Sequence, residues 1–471
     1  MNELVERTLA EASELVARRE VSAVELTQAV LQQIAETEPV VSAFAHLFPD
    51  AALDEARTLD RELAHGRLRG VLHGVPIGVK DIVYMRGVPT DAGSRALTGF
   101  VPDYDATIVR KLRDAGAVIV GKTVTHEFAW GVNVPVTRSP WRDGWYPGGS
   151  SAGSGVAVSV RSAFGAIGTD TGGSIRIPAA VNGLVGLKPT FGRVSRHGII
   201  PLSWSLDHPG ALTRTVADNA ILLQVLAGHD PADLGSIDEP LADYRAQLES
   251  GVDDSVIGVE RDHYFYSGVI EDVRAAVEAV IDEYASLGAR IVEVQLPAFA
   301  AMPSALLTIL LAEASAFHRR LFRERALDYD PATRLLLELG ELVPATHYVT
   351  GLRARTLLRD RVKNLFRAHG LDALISPTIP LPTVPNEQRN QPRDGGETAF
   401  TAYVHHTFPA NLLGLPALSV PCGLTSDGLP IGFQLLGRPF AEATIFRLAR
   451  AYERNHSWPA LRPPVLQDLG S

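Results

Sequence analysis

From Glu3 to about Glu38 apolar residues recur every third or fourth position, the spacing that gives an α-helix one apolar face. Ser22, followed three residues later by Glu25, is placed to cap a second helix in this run. Residues 1–60 are therefore expected to form a helical arm. The pattern then changes. Leu72–Asp81 (LHGVPIGVKD) has the β-branched content and flanking glycines of a buried strand, a helix is expected to start near Thr107, and GAVIVGK follows as a second strand. Val256–Glu260, Glu271–Leu287 and Ala289–Leu296 repeat the order strand, helix, strand. Between Asn411 and Tyr452 the pattern reads as a buried strand, a turn at Ser426-Asp427-Gly428, a second strand and a helix. These alternations predict one α/β domain over residues 1–471, with the arm followed by an α/β core over 61–471. Ser376–Glu397 is the one long run of loop formers, and its length makes it a candidate lid.

Composition narrows the class. With 46% hydrophobic and 21% charged residues the chain can bury a large core. A net charge of −10 argues against a surface built to neutralise phosphates, so nucleic acid is not an expected partner. Cys422 is the single cysteine, which excludes an internal disulfide and a paired-thiol metal or redox site and suits a small buried apolar residue. The first residues lack a basic region followed by an apolar one. Glu313 interrupts the apolar stretch Ala305–Phe317, which is too short to cross a bilayer. A cytoplasmic protein that keeps off membranes is expected.

Three motifs compete for the chemistry. Gly116 to Thr123 matches the phosphate-loop pattern G-x-x-x-x-G-K-[ST], but its intervening residues Ala-Val-Ile-Val prefer an extended strand and no helix pattern begins at Lys122. A nucleotide triphosphate site there is the alternative from another class, with Lys122 otherwise a strand-end residue. Gly149-Ser150-Ser151-Ala152-Gly153 fits the nucleophile-elbow pattern with Ser151 as nucleophile. The small apolar run after it suits a helix; the preceding WRDGWYPGG does not read as a strand, and none of His197, His208 or His263 sits in a motif that marks it as a base. The third motif, Gly168 to Ser195, places Gly172 and Gly173 directly before Ser174, where glycines let successive N–H groups converge on one point, as an oxyanion requires. Asp170 and Arg176 are spaced to pair and brace that turn.

Taken together, VPIGVKD around Lys80, GGSSAGS at Gly148–Ser154 and GTDTGGSIRIPAAVNGLVGLKPT from Gly168 resemble the amidase signature family of serine hydrolases. The resemblance extends over Ser205–Asp218, Asn411–Gly423 and GLPIGFQLLGRPF, and so over nearly the whole chain. It implies a large mixed, twisted β-sheet flanked by helices on both faces. It also implies a triad: Ser174 as nucleophile, Ser150 as bridging serine after a cis peptide bond and Lys80 as base. Ser151 would support the loop, and the N–H groups of Thr171, Gly172, Gly173 and Ser174 would form the oxyanion hole. No metal or organic cofactor is implied, and homodimers in the family offer a dimer by analogy.

A lysine can serve as base only when neutral, against an ordinary pKa of about 10.4, and the apolar run before Lys80 suits the desolvation this needs. Spacing alone favours a charged Lys80 at a strand end paired with Asp81, and it is the resemblance that points to the base. By position in the resemblance, Tyr84, Phe128 and Trp130 are candidate substrate contacts, joined by Trp145 and Tyr146 from the loop Gly131–Gly149, which is shorter than the usual family connection; each suits core packing equally. The expected substrate is a small amide, anilide or carbamate with an apolar or aromatic group, the enzyme then being an amidase, urethanase or aryl acylamidase. The alternative within the family is the glutamine-hydrolysing A subunit of a tRNA-dependent amidotransferase. A catalytically inactive binding module is argued against by the intact Lys80, Ser150 and Ser174.

Overall fold

The computed structural model describes residues 3–266, 268–393 and 396–468. Their strands form one sheet of eleven: β1 (Phe44–Leu47), β2 (Pro76–Lys80), β3 (Val118–Thr123), β4 (Gly165–Asp170), β5 (Val185–Lys188), β6 (His208–Thr213), β7 (Val256–Val259), β8 (Arg290–Glu293), β9 (Ala373–Pro377), β10 (Ala417–Leu424) and β11 (Pro430–Gly437). The spatial order is β1-β3-β2-β4-β6-β5-β10-β11-β9-β7-β8. β2 runs parallel to β3 and β4, and β7 parallel to β8 and β9, while the remaining pairs are antiparallel. Successive strand residues point to opposite faces, yet every residue of β2, β4, β6, β9 and β11 is buried, so both faces of the sheet centre are covered. This is the mixed, helix-flanked α/β sheet that the alternating pattern and the family resemblance lead one to expect.

Local chemistry fixes the elements. Ser22 and Glu25 form a reciprocal capping box at the start of the Ala23–Val41 helix, and Thr8 and Glu11 form another at the Leu9–Ala17 helix. The first 60 residues are not wholly helical, because Phe44–Leu47 pairs antiparallel with β3 and supplies the edge of the sheet. Four residues with mixed burial are too short for a period-two pattern to register.

The apolar segment around Glu313 is longer than the sequence suggests. It belongs to the Met302–Arg325 helix, and Phe299–Asp328, with mean hydropathy 1.5, is long and apolar enough by length and composition to cross a membrane. In the fold it packs against the Pro331–Glu341, Ala345–His369 and Ala399–Leu413 helices. Glu313 is buried, accepting hydrogen bonds from the Ser205 N–H (3.1 Å) and the Tyr348 hydroxyl (3.0 Å), which is how a carboxylate fits in the middle of this helix.

Ser376–Glu397 is not a free lid. Most of its first half is buried, and it is tied down by Thr378 N–H to Gly432 O (2.9 Å), Tyr146 N–H to Val384 O (2.9 Å) and Asn386 N–H to Gly144 O (3.0 Å). The buried Arg389 guanidinium caps the carbonyls of Gly131 (3.1 Å) and Asn133 (3.2 Å). Residues 394 and 395 lie outside the described residues.

Candidate active site

Lys80 ends β2, and β4, its parallel neighbour, ends at Asp170, so the polar residues gather at the carboxyl ends of parallel strands, the usual place for a ligand in such sheets. The Lys80 ammonium nitrogen is wholly buried and donates to Ser150 Oγ (2.8 Å), Thr169 Oγ1 (2.9 Å) and Ser151 Oγ (3.1 Å). All three partners are neutral hydroxyls. Desolvation therefore dominates and brings its pKa down to about 7, against the opposing pull of Asp170 and Asp207.

The peptide bond between Gly149 and Ser150 is cis. Ser150 O accepts from the His126 N–H (3.1 Å), and a Cβ at Gly149 would lie 1.9 Å from His126 Cε1, so only glycine fits beneath that ring. Ser151 Oγ also touches the backbone of Thr169, donating to its carbonyl (3.2 Å), and Ser151 is followed by the fully buried Ala152–Ser159 helix. The Ser151 N–H donates to Ser174 O (3.3 Å), which joins the serine-rich turn to the glycine turn. Of the three serines, Ser150 and Ser151 are fully buried and Ser174 is half-buried.

The glycine turn is held from below. The Asp170 carboxylate accepts from Gly173 N–H (2.8 Å), Ile175 N–H (3.1 Å), Arg176 Nε (3.1 Å) and Asn411 Nδ2 (2.8 Å). Arg176 continues to Gln434 Oε1 (3.0 Å) and Asn411 Oδ1 (2.6 Å). Burial alone would raise the Asp170 pKa; the Arg176 guanidinium reverses this and holds it well below the usual carboxylate range. The Asp170–Arg176 pair expected from spacing is thus present, and Asn411 and Gln434 complete it. Gly173 has φ +129, a conformation open to glycine. Its N–H is spent on Asp170, which corrects the expectation of four converging donors. The N–H groups of Thr171, Gly172 and Ser174 have no acceptor among the described residues.

A cavity of about 520 Å³ opens beside this turn and shares Thr169 and Thr171 with it. Its walls are mainly apolar, with Phe191, Ile199, Leu202 and Trp204 among them. Of its charged residues, Arg196 is bidentate to Asp233 (3.1 and 2.7 Å). Asp207 accepts from Thr171 Oγ1 (2.6 Å) and from the N–H groups of Leu202 (2.9 Å) and Ser203 (3.0 Å), and burial pushes its pKa up to about 6 despite these bonds.

None of the five aromatic residues expected to contact substrate lines this cavity. Phe128 packs on His318 (4.4 Å between ring centroids) and Tyr329 (5.3 Å), and Tyr84 on Phe100 (5.4 Å); both face a separate space of about 250 Å³. Trp130 is buried in the core. Tyr146 stacks on Tyr403 (6.2 Å) beneath Arg389, and Trp145 lies under Arg142 (4.6 Å). The wall comes mostly from residues 191–209 and 232–235, which the sequence marks only through the end of the Gly168–Ser195 motif and the resemblance over Ser205–Asp218, and not as a cavity wall.

The rival motifs find no support. Val118–Thr123 is a strand, and Lys122 is buried against Asp81 (2.8 Å) and Thr90 Oγ1 (2.7 Å), leaving no loop to hold phosphate. Asp81 thus pairs with Lys122 and not with Lys80. For the elbow, Ser151 bonds Lys80 and Thr169 and makes no hydrogen bond to a histidine among the described residues; His208 meets Asp170 O (3.2 Å), His263 meets Glu260 (2.7 Å) and His197 stacks on Tyr104 (5.3 Å).

With this arrangement in view, comparison with known proteins is decisive: the family profile described as Amidase matches residues 25–446. The chain belongs to the amidase signature family. It is 44% identical to an amidase of Pseudomonas putida over 99% of both chains. It is also 43% identical to the A subunit of the glutamyl-tRNA(Gln) amidotransferase of Myxococcus xanthus, over 97% of this chain and 98% of that one. The crystal structure of a bacterial aryl acylamidase of the amidase signature family superposes with a TM-score of 0.89 at 26% identity, covering 98% of this chain and 100% of that one. As an amidase signature hydrolase the protein cleaves amide C–N bonds.

Proposed function

We propose that the protein hydrolyses small neutral amides, anilides or carbamates bearing an apolar or aromatic group, through an acyl-enzyme on Ser174. The observation that carries this reading is the buried Lys80 nitrogen 2.8 Å from Ser150 Oγ, in surroundings that favour the neutral amine at physiological pH. Ser174 Oγ attacks the carbonyl carbon while its proton passes to Ser150, and the Ser150 proton passes to Lys80. The N–H groups of Thr171, Gly172 and Ser174 receive the oxyanion. As the intermediate collapses, the C–N bond breaks and the proton on Lys80 returns through Ser150 to the leaving nitrogen. Water then attacks the ester, gives its proton along the same path, and the acid leaves as Ser174 is regenerated. Half-burial suits Ser174 to meet substrate, and full burial suits Ser150 to relay.

The apolar walls of the 520 Å³ cavity support a substrate with an apolar group, and its size suits a small molecule. The second reading, glutamine hydrolysis within a tRNA-dependent amidotransferase, is favoured by the Myxococcus relative. Glutamine needs unspent charges for its ammonium and carboxylate groups, whereas Arg196 is already committed to Asp233 and Asp207 to three donors. One experiment tests both: the purified protein is labelled with a fluorophosphonate, the modified residue located by peptide mass spectrometry, and hydrolysis of an aryl anilide compared with ammonia release from glutamine. An adduct on Ser174, lost in Lys80→Ala, with preference for the anilide is expected. An adduct on Ser151 overturns the triad, and preference for glutamine overturns the substrate class.

A further inference from the structure

A second cavity, of about 740 Å³, lies away from Lys80, where the Ala345–His369 helix meets Leu413, Leu415 and the turn at Arg438 and Pro439. One wall is formed by Arg359, Lys363 and Arg367, successive side chains at a spacing of four on one helix face. All three are exposed, and among the described residues none makes a hydrogen bond or ion pair through its side chain. Like charges at this spacing repel along a helix. The one carboxylate on the wall, Asp360, accepts from Asn364 (3.3 Å), and Arg438 on the opposite rim is held by Asp372 (3.1 Å). The remaining lining is apolar, with Phe366 and Leu413 buried beneath the cations. This basic ridge stands out in a chain whose net charge is −10.

We propose that this groove is a binding site for a small polyanion with an apolar or aromatic body, of the chemistry of a nucleoside diphosphate. Clustered phosphates would answer the unpaired cations; Arg359 and Arg367 offer planar forks for phosphate oxygens and Lys363 a point charge. The apolar lining would take the body, and the volume lies in the range of small-molecule sites. A concave groove of this size favours such a ligand over a flat macromolecular surface. The site is distinct from the strand Val118–Thr123 and from the cavity beside Thr171, and the proposal stands independently of the substrate reading.

The test uses the whole protein at low ionic strength, titrated calorimetrically with ADP, pyrophosphate, a short RNA and, by flotation, phosphatidylglycerol vesicles. ADP is expected to bind more tightly than pyrophosphate, because only ADP presents a ring to the lining. Lys363→Glu with Arg367→Glu is expected to weaken both at least about tenfold, leaving anilide hydrolysis and the thermal transition unchanged. The proposal is overturned if neither small anion binds at millimolar concentration, if the double substitution leaves binding unaltered, or if RNA or vesicles bind while ADP does not.

Discussion

Lys80 is the group whose protonation the proposed mechanism depends on, so its pKa sets the pH profile of the reaction. Burial disfavours the ammonium form and brings the pKa to about 7. The neutral amine, which is the base, then dominates above that value and is lost as pH falls through it. Between pH 6 and pH 8 the neutral fraction rises from about one-tenth to about nine-tenths. For a neutral anilide, whose own charge is constant over this range, kcat/KM is therefore expected to rise about tenfold from pH 6 to pH 8 and then level off. A lysine at the ordinary value of about 10.4 would instead give about a hundredfold rise over the same interval, with no plateau below pH 10. Initial rates at subsaturating anilide, measured in constant-ionic-strength buffers from pH 5.5 to 9.5, separate the two. Asp207→Asn removes an anion that holds the proton on Lys80, so the inflection moves to lower pH. In the unaltered protein Asp207 itself, with a pKa of about 6, broadens the acid limb by losing its charge there. A flat profile, or one still climbing in direct proportion to hydroxide at pH 9, would exclude Lys80 as a base of depressed pKa.

Lys80→Arg keeps a permanent positive charge beside Ser150 and lowers kcat by about 10²- to 10⁴-fold, with KM for the anilide read in the same assay to show that binding survives. Gly149→Ala drives a methyl to within 1.9 Å of His126 Cε1 and destabilises the fold by about 1–3 kcal/mol or more, seen as a lower melting temperature together with lost activity. Asp170→Asn leaves the wholly buried Arg176 charge uncompensated and costs about 3–5 kcal/mol in denaturant unfolding. Trp204→Ala strips one wall of the cavity beside Thr171 and raises KM for an aryl anilide about fivefold, with kcat nearly unchanged.

The polar centre around Lys80 was more legible in the sequence than the walls around it. Short-range patterns carried the helix caps at Ser22 and the strands around Lys80 and Val118, because hydrogen bonding and side-chain period act over a few residues. The resemblance of three ordered motifs pointed to Lys80, Ser150 and Ser174, and the structure draws Lys80 and Ser150 into direct contact. Aromatic content near those motifs did not point to the cavity. Phe128, Trp130 and Tyr146 are consumed by packing, and nothing local distinguishes an aromatic that packs from one that faces open space. Gly173 likewise has the local look of an oxyanion donor, and only Asp170, folded back beneath the turn, claims its N–H. β1 leaves no signal because four edge residues carry no periodic trace.

The brace beneath the glycine turn also orders events in time. Asp170 and Arg176 come from the first half of the chain, but Asn411 and Gln434, which complete their bonding, come from near its end. Closing that loop demands contacts between residues more than two hundred positions apart, the kind that form late because the entropy of bringing the ends together precedes the reward. During synthesis Lys80, Ser150 and Ser174 have all left the ribosome while the turn still lacks its support. The nascent chain therefore carries the three groups of the proposed relay before the brace beneath the glycine turn is complete, and that brace closes only with the last strands of the sheet.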